Sequence, residues 1–177
     1  MQCYCGSTKL FDLCCEPYLT GEQKPETAEL LMRSRFSAYA IKNAQYILDT
    51  YASKSKQTQT LKDIQSWAND CIWLALNIHS SDETTVEFSA YYVNDNRLCH
   101  LREVSRFTKE PSNTMNLLTE PNKKIDHTIN NWVYLDGDII TNEEIKKVKR
   151  NDLCPCNQYP TRWAIAQNKK YKQCCAK

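Results

Sequence analysis

Apolar residues recur along the first third of the chain at helical spacing. Ala28, Leu31, Met32, Phe36, Tyr39 and Ala40 fall on one stripe, with Pro25, Glu26 and Glu29 marking the helix start. Asn43 reads as the cap of a second helix carrying Tyr46, Ile47 and Tyr51, and Thr60 with Asp63 opens a third that runs through Trp67. From Ile72 the period changes to two. Ile72, Leu74, Leu76 and Ile78 alternate with Trp73, Ala75 and Asn77, and Val86, Phe88, Ala90 and Tyr92 alternate likewise. Asn94-Asp95-Asn96 predicts a hairpin turn into a strand over Leu98–Thr108, and a last strand runs Trp132–Asp136, closed by Gly137. Between these two strands, Pro111 to Ile129 is polar and reads as a long surface excursion. Helices followed by a meander of strands predict an α+β domain with helices against one face of a sheet.

A length of 177 residues allows one proper core domain with small appendages, and 41% hydrophobic with 25% charged residues is ordinary for a globular chain. A net charge of +2 argues against a dominant electrostatic footprint for nucleic acid. No apolar run approaches the ~20 residues of a membrane span. The N-terminus lacks a basic stretch followed by an apolar one, so no signal peptide is expected.

Cysteine changes the picture. Eight of the ten cysteines form two clusters of the form Cys-x-Cys … Cys-Cys: Cys3, Cys5, Cys14 and Cys15 near one end, Cys154, Cys156, Cys174 and Cys175 near the other. Four converging thiolates suit a tetrahedral zinc ion with Zn–S bonds of about 2.3 Å. Adjacent and Cys-x-Cys pairs reach disulfide geometry only with backbone distortion, which leaves a disulfide staple or redox thiols as the weaker readings. Thiol-rich metal motifs without a secretory signal predict a reducing, cytoplasmic setting. The first quartet has eight residues between its two halves and the second seventeen, with Gln158 to Gln167 as an apparent insertion. Loop closure grows only with the logarithm of length, so the second site is expected to bind metal, less rigidly. Cys71 and Cys99 lie on strands and read as small core residues.

Cys3-Tyr4-Cys5-Gly6-Ser7 … Cys14-Cys15 and Arg150-Asn151-Asp152-Leu153-Cys154-Pro155-Cys156 … Lys169-Lys170-Tyr171-Lys172-Gln173-Cys174-Cys175 resemble the SEC-C motif, the small zinc module at the C-terminus of the SecA translocation ATPase. One such motif at each end of a short chain is similar to the YchJ (UPF0225) family. The segments Glu29–Tyr39, Trp73-Leu74, Ser105-Arg106-Phe107 and Trp132–Gly137 also resemble that family's middle region. The resemblance implies a cone like that of nuclear transport factor 2, a curved antiparallel sheet wrapped on a long helix around a pocket. It divides the chain into a zinc module over 1–22, a central domain over 23–145 and a second zinc module over 146–177. It implies two zinc ions per chain. By analogy with the SecA module, which contacts the export chaperone SecB and phospholipid, it also implies a protein partner.

The candidates outside the sulfurs are few. Arg35 lies on the apolar stripe of the first helix, and Glu103 alternates inward with Leu101 and Phe107, so the two are expected to pair across the helix–sheet interface. That pair is structural or belongs to a ligand pocket, with Asp136 as the competing partner. His79, His100 and His127 have no nucleophile or carboxylate at a recognisable spacing, and the chain's three glycines leave no phosphate loop. Trp67, Trp73, Tyr91, Tyr92 and Trp132 read as core or pocket lining. Basic residues crowd the last stretch, including Lys169, Lys170 and Lys172. They balance the −2 formal charge of a four-thiolate zinc, or with an exposed Tyr171 they meet an acidic protein or RNA. Two functions compete: a non-catalytic zinc protein whose modules mediate protein contacts, linked to export or translation, and a small-molecule binder or enzyme using the central cone.

Overall fold

The computed structural model of the chain describes residues 1–111, 130–157 and 168–176. The excursion expected from Pro111 to Ile129 and the insertion over 158–167 lie, beyond Pro111 itself, outside the described residues, as does His127.

Helix α1 is one turn, Glu16–Leu19. Helix α2, Ala28–Ala40, begins at Thr27, whose hydroxyl accepts the Leu30 N–H, three residues later than Pro25 suggested. Helix α3, Ala44–Asp49, is capped as expected by Asn43, whose Oδ1 accepts from Tyr46 N at 3.0 Å. A further turn, α4, covers Ser53–Lys56. Helix α5, Leu61–Asp70, starts at the predicted Thr60–Asp63 box, where Thr60 Oγ1 accepts from Asp63 N and donates to its carboxylate. The Lys42 ammonium donates to the carbonyls of Ala68 and Cys71, closing the C-terminal end of α5.

The sheet is a four-stranded antiparallel meander in chain order: β1 Cys71–Ser81, β2 Thr85–Asn94, β3 Arg97–Pro111 and β4 Asn130–Lys147. The β2–β3 turn holds Asp95 and Asn96 at φ of +45° and +58°, the paired positive values that a two-residue turn needs to match strand twist. Strand β4 departs from the sequence reading. It does not close at Gly137 but continues to Lys147, paired with β3 back to Arg97.

Alternation puts Val86, Phe88, Ala90 and Tyr92 on the concave face, where Leu31, Met32 and Phe36 of α2 pack against them together with Trp73 and Leu76. The opposite face is also covered at one end. Leu74, Val93 and Leu98 there bury against Val148, Cys154, Cys156 and Tyr171 of the C-terminal segment. At the other end of the cone, Ala52 N donates to Tyr134 O and Tyr134 N to Thr50 O, so the segment between α3 and α4 closes onto β4.

Candidate metal centres and the cavity of the cone

The four sulfurs of Cys3, Cys5, Cys14 and Cys15 lie within 4.8 Å of one another, and so do those of Cys154, Cys156, Cys174 and Cys175. A regular tetrahedron with metal–sulfur bonds of about 2.3 Å has sulfur–sulfur edges of about 3.8 Å. The observed contacts bracket that value: 3.7 Å for Cys5–Cys14 and 4.0 Å for Cys14–Cys15, then 3.5 Å for Cys156–Cys174 and 3.9 Å for Cys174–Cys175. A disulfide needs about 2.05 Å, and all ten cysteines are free. The donor set therefore fits a dication held by four thiolates.

The first quartet is seated by α2. Arg33 ion-pairs with Glu29 at 2.7 Å and donates from Nη1 to the carbonyl of Cys5 at 3.1 Å. Ser37, one turn on and fully buried, lies 3.7 Å from Cys3 Sγ. Glu29, Arg33 and Ser37 thus form a second stripe on α2, beside the one that enters the core. Gly6 makes the reversal between the two sulfur pairs at φ +78°, and a Cβ there would come 3.3 Å from Leu76 O. Hydrogen bonds from Cys15, Cys3 and Ser7 draw the Cys5 thiol well below its usual range, while bonds to Cys3 and Cys5, with burial, raise Cys15. A divalent cation held here would displace the thiol protons and keep all four sulfurs ionised.

The second quartet closes across its insertion by another device. Asn157, in the position of Gly6, donates from Nδ2 to Cys154 O and accepts from Asn168 N, both at 2.9 Å. The left-handed residue here is Asn168, at φ +48°. Burial pushes Cys156 up to about 12, while backbone N–H groups of Cys156 and Cys175 overcome burial to lower Cys154. Lys169, Lys170 and Lys172 are exposed, as predicted. Tyr171 is not: it is buried against the sheet in a 3-10 turn, Tyr171–Gln173, and anchors the module instead of meeting a partner.

Inside the cone, Met32, Arg35 and Tyr39 of α2 face Trp73, Phe88, Glu103 and Tyr134 across a cavity of about 160 Å³. Arg35 and Glu103 share this cavity but do not pair. The Arg35 guanidinium donates from Nη1 to Ile47 O at 2.8 Å and Thr50 Oγ1 at 2.7 Å, and its carbon sits over the rings of Tyr51 and Tyr134 at 4.5 and 4.7 Å. Glu103 Oε1 accepts from Ser105 Oγ at 2.7 Å and from the Tyr134 hydroxyl at 3.0 Å. Asp136 is elsewhere altogether, ion-paired with Arg106 on the outer face, because the strand carries it to the side opposite the helices. On that face His79 and His100 each reach Ser89 Oγ through Nε2, at 2.8 and 2.9 Å. Ser89 is 2% exposed, which makes this a closed polar link between strands.

A family profile described as the middle NTF2-like domain of YchJ matches residues 27–137. A UPF0225 protein of Vibrio cholerae is 33% identical over 181 residues, covering 99% of both chains. The chain belongs to the YchJ (UPF0225) family. Among solved structures, a SEC-C motif containing protein from Psychrobacter arcticus superposes with a TM-score of 0.60 at 25% identity, over 97% of this chain and 88% of that one. Another SEC-C motif containing protein, from Rhodopseudomonas palustris, gives 0.62 at 27% identity over 80% of this chain and all of the other. The YchJ-type cone is thus shown, with a four-sulfur cluster at each end.

Sequence reasoning missed Arg33, Ser37 and Asn157, all of which support sulfur atoms. The Glu29–Arg33–Ser37 spacing was the readable signal for the first two. It was masked by the stronger apolar stripe on the same helix.

Proposed function

We propose that this YchJ-family chain is a non-catalytic zinc-binding protein whose two SEC-C modules, folded by metal, present a contact surface to a protein partner in the cytoplasm. The observation that carries the reading is the pair of closed four-sulfur clusters. Every ligand comes from the chain, so each ion would be coordinatively saturated, with no open position for water or substrate. Metal binding then becomes folding free energy for segments too short to hold a core of their own.

The modules grip different parts of the cone, one on α2 and the other on the outer sheet face. Both carry exposed apolar side chains beside lysines. Leu13 is 71% and Leu10 47% exposed near Lys9, and Leu153 is 57% exposed, bridged to Lys170. Apolar anchors with a cationic rim suit an acidic protein surface better than a nucleic-acid backbone, which asks for charge alone.

The test is capture from cell lysate by the zinc-loaded protein and by a Lys169→Ala, Lys170→Ala, Lys172→Ala variant, each with and without nuclease. The reading expects nuclease-resistant capture that weakens in the variant while its zinc content is unchanged. Nuclease-sensitive capture, or equal capture by the variant, would overturn it.

A further inference from the structure

The cavity of the cone is independent of the metal centres, and its wall is chemically specific. Aromatic rings line it: Phe36, Tyr39 and Trp67 pack on Trp73, with ring centroids 4.9 to 6.1 Å apart. One strong donor on the cavity wall is not fully used. Arg35 is 4% exposed, and among the described residues no carboxylate forms an ion pair with it. Its two hydrogen bonds both leave from Nη1, whereas a guanidinium carries five N–H groups. A guanidinium that lines a cavity with N–H groups to spare favours an occupant that accepts.

The second polar group is Glu103. It accepts from Ser105 and Tyr134 through Oε1, and its side chain crosses the place where residue 137 would carry a Cβ, since a Cβ built on Gly137 would lie 2.1 Å from Oε1. Glycine at that position lets the carboxylate turn into the cone beside Tyr134. The cavity thus offers donors from Arg35 and an acceptor from Glu103, between flat aromatic walls. With one charge of each sign, the site is neutral as a whole.

We propose that the cone binds a single planar heteroaromatic ring of nucleobase or pyridine-carboxamide size, accepting from Arg35 and donating to Glu103. Size sets the limit. An apolar cavity of about 150 Å³ admits benzene, so about 160 Å³ takes one substituted ring and excludes a nucleoside. Stacking faces favour a ring over an aliphatic chain of equal volume. Trp67, 38% exposed, marks the mouth.

Cytosine and nicotinamide are the probes, toluene the apolar comparator, and the full zinc-loaded chain the receptor. Binding is read by saturation-transfer NMR and by quenching of tryptophan fluorescence. At least one polar probe is expected to bind with a millimolar or tighter Kd and to outcompete toluene. Ala90→Leu, which fills the cavity, should abolish binding. Gly137→Ala, which drives the Glu103 carboxylate aside, should weaken it about fivefold or more, with an intact melting transition. Binding of neither probe, equal binding of toluene, binding that survives Ala90→Leu, or an unchanged Kd in Gly137→Ala would overturn the proposal.

Discussion

Asn157→Ala is the sharpest perturbation of the second metal centre that leaves its sulfurs in place. The insertion roughly doubles the span between the sulfur pairs, from eight to seventeen residues, and each doubling of a loop costs about 0.6 kcal/mol in closure entropy. Asn157 offsets this with two hydrogen bonds of 2.9 Å, one to Cys154 O and one from Asn168 N, joining the two ends of the inserted stretch. A net 0.5 to 1 kcal/mol for each, at a half-exposed site, makes the pair worth about 1–2 kcal/mol. Alanine should therefore raise the Kd for one of two metal ions about fivefold to thirtyfold and leave the other unchanged. A zinc titration against a chromophoric chelator resolves the two steps, with Cys174→Ala identifying which step belongs to which quartet. Two unchanged affinities would refute the assignment of Asn157 as the closure of the loop, and loss of both would mean the centres are not independent.

Gly6→Ala places a Cβ at φ +78° and 3.3 Å from Leu76 O, so thermal unfolding should report a loss of about 1–2 kcal/mol. In the metal-loaded protein, N-ethylmaleimide should modify half-buried Cys99 before the fully buried Cys71, and the eight clustered sulfurs only after chelation, as read by peptide mass mapping. Burial raises Cys71 from 9.0 to about 11, so the native state keeps a proton that the unfolded chain releases first. The resulting stability is fully present below pH 9 and is lost as pH climbs from 9 through 11. Denaturant midpoints across that window should fall less steeply for Cys71→Ala than for the parent, and parallel curves would contradict the shift.

Local chemistry made much of the fold legible. Asn43 and the Thr60–Asp63 box capped the helices they were read to cap, and the Asn94–Asn96 turn set the register that sends Leu101, Glu103 and Phe107 inward. The errors have physical causes. Asp136-Gly137-Asp138 has the composition of a turn, yet it is the middle of a long edge strand whose charges pair with Arg106. Exposed edge strands need no alternation to be strands, which hides them from a periodicity argument. Tyr171 looked exposed among lysines because a 3-10 turn repeats every three residues and can bury one side chain between charged neighbours. Arg35 and Glu103 were rightly sent inward, but Arg35 meets the rings of Tyr51 and Tyr134, and Glu103 the Tyr134 hydroxyl, from segments distant in sequence.

Native mass spectrometry of the purified chain tests the central claim most directly. Two zinc ions per folded chain, with one lost in Cys5→Ala and the other in Cys174→Ala, is the expected result. A folded chain carrying no metal, or one lighter by the hydrogens lost in forming disulfides among the clustered sulfurs, would contradict it.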